Sequence, residues 1–198
     1  MAHEELPLVY LARHAETAWS LSGQHTGLTD LPLTAGGEVR AQKLGAVLSR
    51  LSFAGIFTSP LRRAMRTCEL AGFGEKAEIL PELVEWDYGE YEGLRTLEIR
   101  SKRPGWEIFR DGAPGGESPE QVAARADRVV ERVRAVSGNV LLFSSAHFLR
   151  ALATRWVGID MLVARSLMLD TASISVLGYE RNLERPVIQV WNDTHHLV

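Results

Sequence analysis

The chain has 198 residues, a single cysteine and a formal net charge of -3. This length suits one domain over residues 1–198, and the 45% hydrophobic and 24% charged content is ordinary for a globular protein. The charge balance gives no electrostatic argument for a nucleic-acid partner or an anionic membrane, and the lone Cys68 excludes an internal disulfide and a multi-cysteine metal site. No apolar run reaches transmembrane length and no basic region precedes the first apolar segment, so the expected location is the cytoplasm.

Strand and helix patterns alternate along the chain, which predicts an α/β fold with a largely parallel sheet. The predicted strands are Leu8–Ala12, Gly55–Ser59, Ala77–Leu80, Val140–Ser144, Ser173–Tyr179 and Val187–Trp191. The predicted helices run over about 35–51, 59–71, 96–102, 119–136 and 147–157, with a helical turn around 106–110.

Three local patterns refine these elements. The first predicted helix has an apolar stripe, formed by Val39, Leu44, Val47, Leu48 and Leu51. Ser59-Pro60 has the form of a cap followed by proline at the first helical position, which predicts that the second helix starts there. Ser118-Pro119-Glu120-Gln121 forms a capping box and opens the best-defined helix.

The two longest apolar strands are followed directly by polar residues. Arg13-His14 follows the first, and the segment from Ser144 to His147 follows the fourth. Ligands of open α/β sheets bind outside the carboxyl ends of the strands, so neighbouring parallel strands would bring both segments to one crevice. The dipeptide by itself favours an ordinary turn with a solvated Arg13, and only the rest of the chain can change that.

The helix that starts near Ser59 carries three arginines in its first turns, where cations oppose the helix dipole. A helix N-terminus with two arginines suits an oxyanion such as phosphate. The alternative is a solvated basic face, which is what we expect for Arg66 and for one of Arg62 and Arg63.

The loop over 82–93 is acidic and aromatic. Glu85 has apolar and aromatic neighbours, and such surroundings suit a general acid. Glu90 and Glu92 are predicted to be surface acids, and His25 an ordinary loop residue. The scattered histidines show no metal-ligand spacing.

Taken together, these segments resemble the histidine phosphatase superfamily, the branch 1 or phosphoglycerate mutase-like histidine phosphatases. The resemblance covers nearly the whole chain and is closest to small bacterial acid phosphatases and the sedoheptulose-bisphosphatase type. Its motifs are Arg13-His14-Ala15-Glu16-Thr17, the loop over 22–34, Ser59-Pro60-Leu61-Arg62-Arg63-Ala64 and the acidic loop over 85–93. The resemblance implies a three-layer α/β/α sandwich with a mostly parallel central sheet.

The resemblance also implies a role for each matched residue. His14 would be the nucleophile that forms a phosphohistidine. Arg13 and Arg63 would bind the phosphoryl oxygens, and Glu85 would protonate the leaving oxygen. The matched or adjacent substrate-site positions are Ser20, Gln24, Thr26 and Gly27. No metal or cofactor is implied, the expected partner is a small phosphorylated metabolite, and the oligomeric state stays open, with a homodimer as one option.

The chain departs from the family pattern at the second strand end. The family places a second catalytic histidine five residues before a conserved arginine; if that arginine is Arg150, the histidine position holds Ser145. A two-residue shift would give His147 the role instead. Losing one preorganised donor costs on the order of 10²–10³ in rate. The first hypothesis is therefore a phosphatase acting on small phosphomonoesters, slowed at this position. A catalytically impaired phosphoester-binding protein is the alternative, and a phosphoglycerate mutase ranks third.

Overall fold

The computed structural model describes residues 6–198, which fold around one six-stranded sheet. The strands are β1 (Val9–Arg13), β2 (Gly55–Thr58), β3 (Glu78–Ile79), β4 (Val140–Ser144), β5 (Ile174–Tyr179) and β6 (Pro186–Asp193). Their order across the sheet is β3-β2-β4-β1-β5-β6. The first three pairings in that order are parallel, and the β1–β5 and β5–β6 pairings are antiparallel. The predicted mostly parallel sheet is confirmed.

Seven α-helices connect and cover the strands. They are α1 (Ala18–Ser22), α2 (Ala35–Leu48), α3 (Arg62–Leu70), α4 (Thr96–Lys102), α5 (Ile108–Asp111), α6 (Pro119–Arg134) and α7 (Ala146–Val157). Short 3-10 segments lie at Gly74–Lys76, Pro81–Leu83, Gly89–Tyr91, Met161–Ser166 and His195–Leu197. Over residues 6–198, no helix is long and apolar enough to cross a membrane.

The sheet separates two hydrophobic cores, which gives the predicted three layers. Side chains of a strand alternate between its two faces. In β4, Val140 and Leu142 therefore belong to the core under α6 and α7, whereas Leu141 and Phe143 belong to the core under α2 and α3. Burial on both faces explains why β1 and β4 are continuous apolar runs.

The predicted apolar stripe of α2 is wrong in part, because Val39 and Val47 are 53% and 37% exposed. The buried face of α2 consists largely of small residues, namely Gly37, Ala41, Leu44, Gly45 and Leu48. A Cβ at Gly37 would lie 2.3 Å from the Glu16 carbonyl oxygen, so the backbones meet where a side chain would collide. The apolar pattern correctly identified Leu44 and Leu48 but not the small residues that share their face.

The predicted start of α3 at Ser59-Pro60 is also wrong, since the helix begins at Arg62. Ser59 Oγ accepts only a long hydrogen bond, 3.4 Å, from the Leu61 N–H. The Arg62 N–H donates instead to the Asp30 carboxylate at 2.7 Å. The Asp30 carboxylate, from a loop distant in sequence, thus caps the N-terminus of α3 in place of a local side chain.

The capping box that opens α6 is confirmed, since Ser118 caps the helix with Gln121 as its partner. Most of the buried face of α6 is apolar, including Val122, Ala126 and Val129. Arg125 lies on that same face and is also buried. A buried arginine needs fixed acceptors, and these lie in the candidate site.

Candidate active site

The carboxyl ends of β1 and β4 meet, as the sequence predicts. Arg13 pairs with Ser144 in the sheet register, and the His14 N–H donates to the Ser144 carbonyl at 2.8 Å. His14 and Ser145 are both buried immediately after these positions.

The tautomer of His14 follows from its surroundings. Its Nδ1 lies 2.8 Å from the Ala15 carbonyl oxygen. Because a carbonyl can only accept, Nδ1 carries the hydrogen and Nε2 keeps its lone pair. Burial, followed by the positive charges of Arg63 and Arg13, holds the pKa of His14 well below its usual 6.5. His14 is therefore a neutral imidazole with a nucleophilic nitrogen at neutral pH.

Two guanidinium groups flank this imidazole. Arg63 is fully buried, and its terminal nitrogens donate to the carbonyls of Thr26, Gly27 and Thr29 at 2.8–3.1 Å. Arg13 donates from Nη1 to the Leu169 carbonyl. The Nε atoms of both arginines are buried, and neither has a hydrogen-bond partner within residues 6–198. Unpaired buried donors on two cations point to an anionic ligand.

Thr67 ties the two halves of this arrangement together. Its hydroxyl accepts from the Ala15 N–H at 3.0 Å and donates to the Arg63 carbonyl at 2.7 Å. One side chain therefore fixes the backbone after His14 relative to the helix that carries Arg63.

Glu85 lies at the N-terminus of α7, against the same site. Its carboxylate accepts from the N–H groups of Trp86 and Phe148 through Oε1 and of His147 through Oε2, at 2.8–3.0 Å. The carboxylate is buried and its charge favours the cationic forms of Arg13 and Arg63. The loop and the helix are thus joined by an acid that faces both arginines.

Arg125 holds the loop that carries Glu85. Its Nη1 donates to the carbonyls of Glu82 and Val84 at 2.8 and 2.7 Å, and it pairs with the Glu117 carboxylate at 2.6 Å. These contacts explain why an arginine lies on the apolar face of α6. An arginine within an otherwise apolar helix face is the sequence signal that could have predicted this role for Arg125.

Ser145 and His147 have different surroundings. Ser145 Oγ is buried and has no hydrogen-bond partner among the described residues. The partly buried His147 places Nδ1 2.5 Å from the Tyr88 hydroxyl. No other hydrogen-bond acceptor for that hydroxyl is found in residues 6–198, so Tyr88 donates and the His147 hydrogen lies on Nε2. Burial raises the pKa of Tyr88, which keeps the hydroxyl protonated.

Comparison with known proteins agrees with this geometry. The model of the histidine phosphatase superfamily (branch 1) matches residues 9–194. The chain is 41% identical over 179 residues to an acid phosphatase of Mycobacterium tuberculosis, with 88% of each chain covered. It is 34% identical over 188 residues to sedoheptulose 1,7-bisphosphatase of Saccharomyces cerevisiae, covering 78% of this chain and 69% of that one.

A solved structure of an open reading frame of Mycobacterium tuberculosis superposes with a TM-score of 0.90 at 38% identity, covering 95% of this chain and 98% of the other. The chain belongs to the histidine phosphatase superfamily. The phosphoglycerate mutase-like fold expected from the resemblance is thereby confirmed.

The four residues predicted at or beside the substrate site, Ser20, Gln24, Thr26 and Gly27, make mostly internal contacts. The Ser20 hydroxyl caps α1 together with Thr17. Gln24 bonds to the Gly93 carbonyl and the Ser22 hydroxyl. Thr26 and Gly27 contribute carbonyls to Arg63. Through these contacts, the four residues order the loop beside the arginines.

Among the three arginines of α3, the structure separates one site residue from two surface residues. Arg62 and Arg66 are exposed, and Arg66 pairs with Glu38 and Glu69 at 2.9 and 3.3 Å. The predicted solvated basic face is confirmed for both, which leaves Arg63 as the buried cation.

Two predictions for the acidic and Gly-rich loops need correction. Glu92 is partly buried and accepts from the Gly27 N–H, so it is not a plain surface acid, whereas Glu90 is exposed. His25 packs against Tyr88 and His147 at ring distances of 4.8 and 5.7 Å. Burial lowers the pKa of His25 to about 4. Sequence spacing could not place these residues beside the site.

The donor set of the site is cationic and imidazole-based. Across residues 6–198, no group of three or more His, Cys, Asp or Glu side chains is arranged to hold a metal ion. The arrangement can bind a tetrahedral oxyanion between Arg13 and Arg63 and present His14 Nε2 to its central atom.

Proposed function

We propose that the protein is a phosphatase that hydrolyses small phosphomonoesters through a phosphohistidine on His14. One observation carries the proposal: His14 is a neutral imidazole with its lone pair on Nε2, beside Arg13 and Arg63, whose buried Nε donors have no hydrogen-bond partner within residues 6–198. The family and the named phosphatases among its relatives support phosphatase activity.

The proposed first step is attack of the His14 Nε2 lone pair on phosphorus. The bond to the ester oxygen breaks, and the departing oxygen takes a proton from Glu85. Charge spreads over the three phosphoryl oxygens in the transition state, where the Nε donors of Arg13 and Arg63 would stabilise it without reorganisation.

In the second step, water attacks phosphorus and gives a proton to the Glu85 carboxylate. The phosphorus–nitrogen bond breaks, inorganic phosphate leaves, and His14 returns to its neutral form. Glu85 thus regains the proton that it donated in the first step. The intermediate stays attached to the ring whose other nitrogen is bonded to the Ala15 carbonyl.

The test is phosphate release from p-nitrophenyl phosphate by wild type, His14→Ala and a control, His195→Ala. His195 is a histidine whose side chain is 95% exposed, so its removal should leave activity unchanged. His14→Ala should lose on the order of 10⁶ in kcat, as removal of a covalent nucleophile does in other enzymes. Wild type should also acquire an acid-labile, base-stable phosphoryl label that His14→Ala lacks. Equal release by wild type and His14→Ala would overturn the proposal.

A second candidate, a phosphoester-binding protein with impaired catalysis, is favoured by Ser145. Its hydroxyl is buried and has no hydrogen-bond partner within residues 6–198. An ungapped match to the family motif puts Ser145 where the second catalytic histidine is expected. Binding of inorganic phosphate together with absent turnover would support this candidate. Transfer of the label to monophosphoglycerate instead of water would support a mutase.

A further inference from the structure

The orientation of Arg63 is set by one short loop, residues 26–29. Nη2 donates to the carbonyls of Thr26 and Gly27 at 3.1 and 2.8 Å, and Nη1 donates to the Thr29 carbonyl at 2.9 Å. A guanidinium group is planar, so three fixed acceptors at its outer end also fix the direction of its inner Nε–H. That Nε–H is the buried donor left without a partner.

The loop itself is held by the carboxylate of Glu92, some 65 residues further along the chain. Glu92 accepts from the Gly27 N–H through Oε1 and Oε2 at 2.8 and 3.0 Å, and from the Thr29 N–H through Oε1 at 3.3 Å. Within this loop, the N–H groups that bond to Glu92 and two of the carbonyls that bond to Arg63 belong to the same residues, Gly27 and Thr29.

Gly27 allows this contact because it has no side chain. A Cβ there would lie 2.5 Å from the Trp86 carbonyl oxygen and 2.6 Å from Glu92 Oε2. At residue 27 the carboxylate can therefore approach the backbone this closely only because the residue is glycine. The neighbouring Gly93 N–H donates to the His25 carbonyl at 2.9 Å, which holds the two segments in register.

We propose that Glu92 is a positioning residue for Arg63, acting through the backbone of residues 26–29. The carboxylate orders the loop, the loop carbonyls orient the guanidinium group, and Nε is thereby aimed at the phosphoryl site. Burial lowers the pKa of Arg63, and the charge of Glu92 opposes that shift together with the larger contributions of Glu85 and Asp30. The inference rests on the proposed function only in assigning a phosphoryl group to that site.

A double-mutant cycle on inorganic phosphate binding tests the proposal. Glu92→Gln keeps the shape of the side chain but places an amide donor against a backbone N–H. It should weaken phosphate binding about tenfold, the usual effect of losing a hydrogen bond to a charged group. In an Arg63→Ala background the same change should have less than about a twofold effect, because the group it orients is gone. Glu90→Gln, at an exposed acid two residues away, should bind phosphate as wild type does.

Phosphorus NMR titration measures the millimolar affinities of the weaker variants, and thermal unfolding is followed in parallel. A merely structural role for Glu92 predicts equal weakening of binding in both backgrounds, and that result would overturn the inference. Unchanged binding by Glu92→Gln would do the same while leaving phosphate release by wild type intact. A third outcome separates the two proposals. If Glu92→Gln weakens phosphate binding only when Arg63 is present, and wild type releases no phosphate from the ester, the inference about Glu92 is supported and only the proposed phosphatase function is contradicted.

Discussion

The ends of β1 and β4 lie side by side, yet they are built differently. At the end of β1, His14, Arg13 and the neighbouring Arg63 bond to backbone carbonyls, and the buried Nε atoms of the two arginines have no hydrogen-bond partner within residues 6–198. At the end of β4, the residue next in register, Ser145, is small and uncharged, and the nearby His147 is held by an aromatic hydroxyl.

The difference shows which part of the site depends on local sequence. The β1 side follows the family motif and carries its charges. If Ser145 stands at the position of the family's second histidine, as the resemblance implies, the β4 side lacks the histidine donor there, while the nearby His147 is a neutral imidazole with its hydrogen on Nε2. We therefore expect phosphate binding to depend on the β1 side and the rate of turnover to be limited by the β4 side.

The largest effect is expected on the β1 side. Arg63→Ala should lower kcat/KM by about 10³, because a preorganised donor to the transition state is removed. Arg62→Ala, at the adjacent exposed arginine, is the matched control and should change kcat/KM by less than about twofold. Phosphate release from p-nitrophenyl phosphate measures both. Similar losses in the two variants would contradict the assignment of Arg63.

The next effect should be a gain on the β4 side. Ser145→His restores a donor at the family position and should raise kcat by about 10². Ser145→Ala, which only removes the unpaired hydroxyl, should not increase turnover. A Ser145→His variant that folds, binds phosphate and shows no gain would mean that Ser145 is not what limits the rate.

The stability of the cluster beside the β4 side should depend on pH. The pKa of His25 is about 4 in the folded protein and about 6.5 when unfolded, so the unfolded chain takes up the proton first as pH falls. The stability that neutral His25 provides is full above pH 6.5 and is lost toward pH 4. Between about pH 7 and about pH 5, this residue should account for a fall on the order of 2 kcal/mol in the free energy of unfolding.

Urea unfolding at several pH values measures this dependence. His25→Phe should flatten it, whereas His195→Phe, at the exposed histidine, should leave the slope of wild type. The lowered pKa values of His14 and His147 would account for the slope that remains. An unchanged slope in His25→Phe would rule out His25 as a contributor.

The smallest effect is expected from Tyr88→Phe, which removes the hydroxyl that bonds to His147 Nδ1. If His147 serves as a donor from Nε2, losing its partner should lower kcat about tenfold with little change in KM. His147→Gln should lower kcat to a similar extent, and the two changes together should be less than additive. If Tyr88→Phe has the kcat of wild type, the prediction that His147 contributes to turnover through its bond to Tyr88 is wrong.

Much of the architecture was predictable because its signals are local. Continuous apolar runs predict β1 and β4, and the capping box at Ser118 predicts the start of α6. The failures occur where a distant group replaces a local one. The N-terminus of α3 is capped by Asp30, and the face of α2 is buried through glycines that no apolar pattern counts.

The candidate site likewise has features that local sequence predicts and features that depend on tertiary contacts. The sequence by itself determined that a histidine and an arginine follow a buried strand, and that an arginine and an acid occur at family spacing further on. Only the tertiary structure decided that Arg63 is oriented by residues 26–29, that Glu92 holds this loop, and that Tyr88 meets His147. The physical reason is that strand and helix patterns depend on neighbours a few residues apart, whereas a side chain's direction depends on acceptors that folding brings from 36 to 65 residues away.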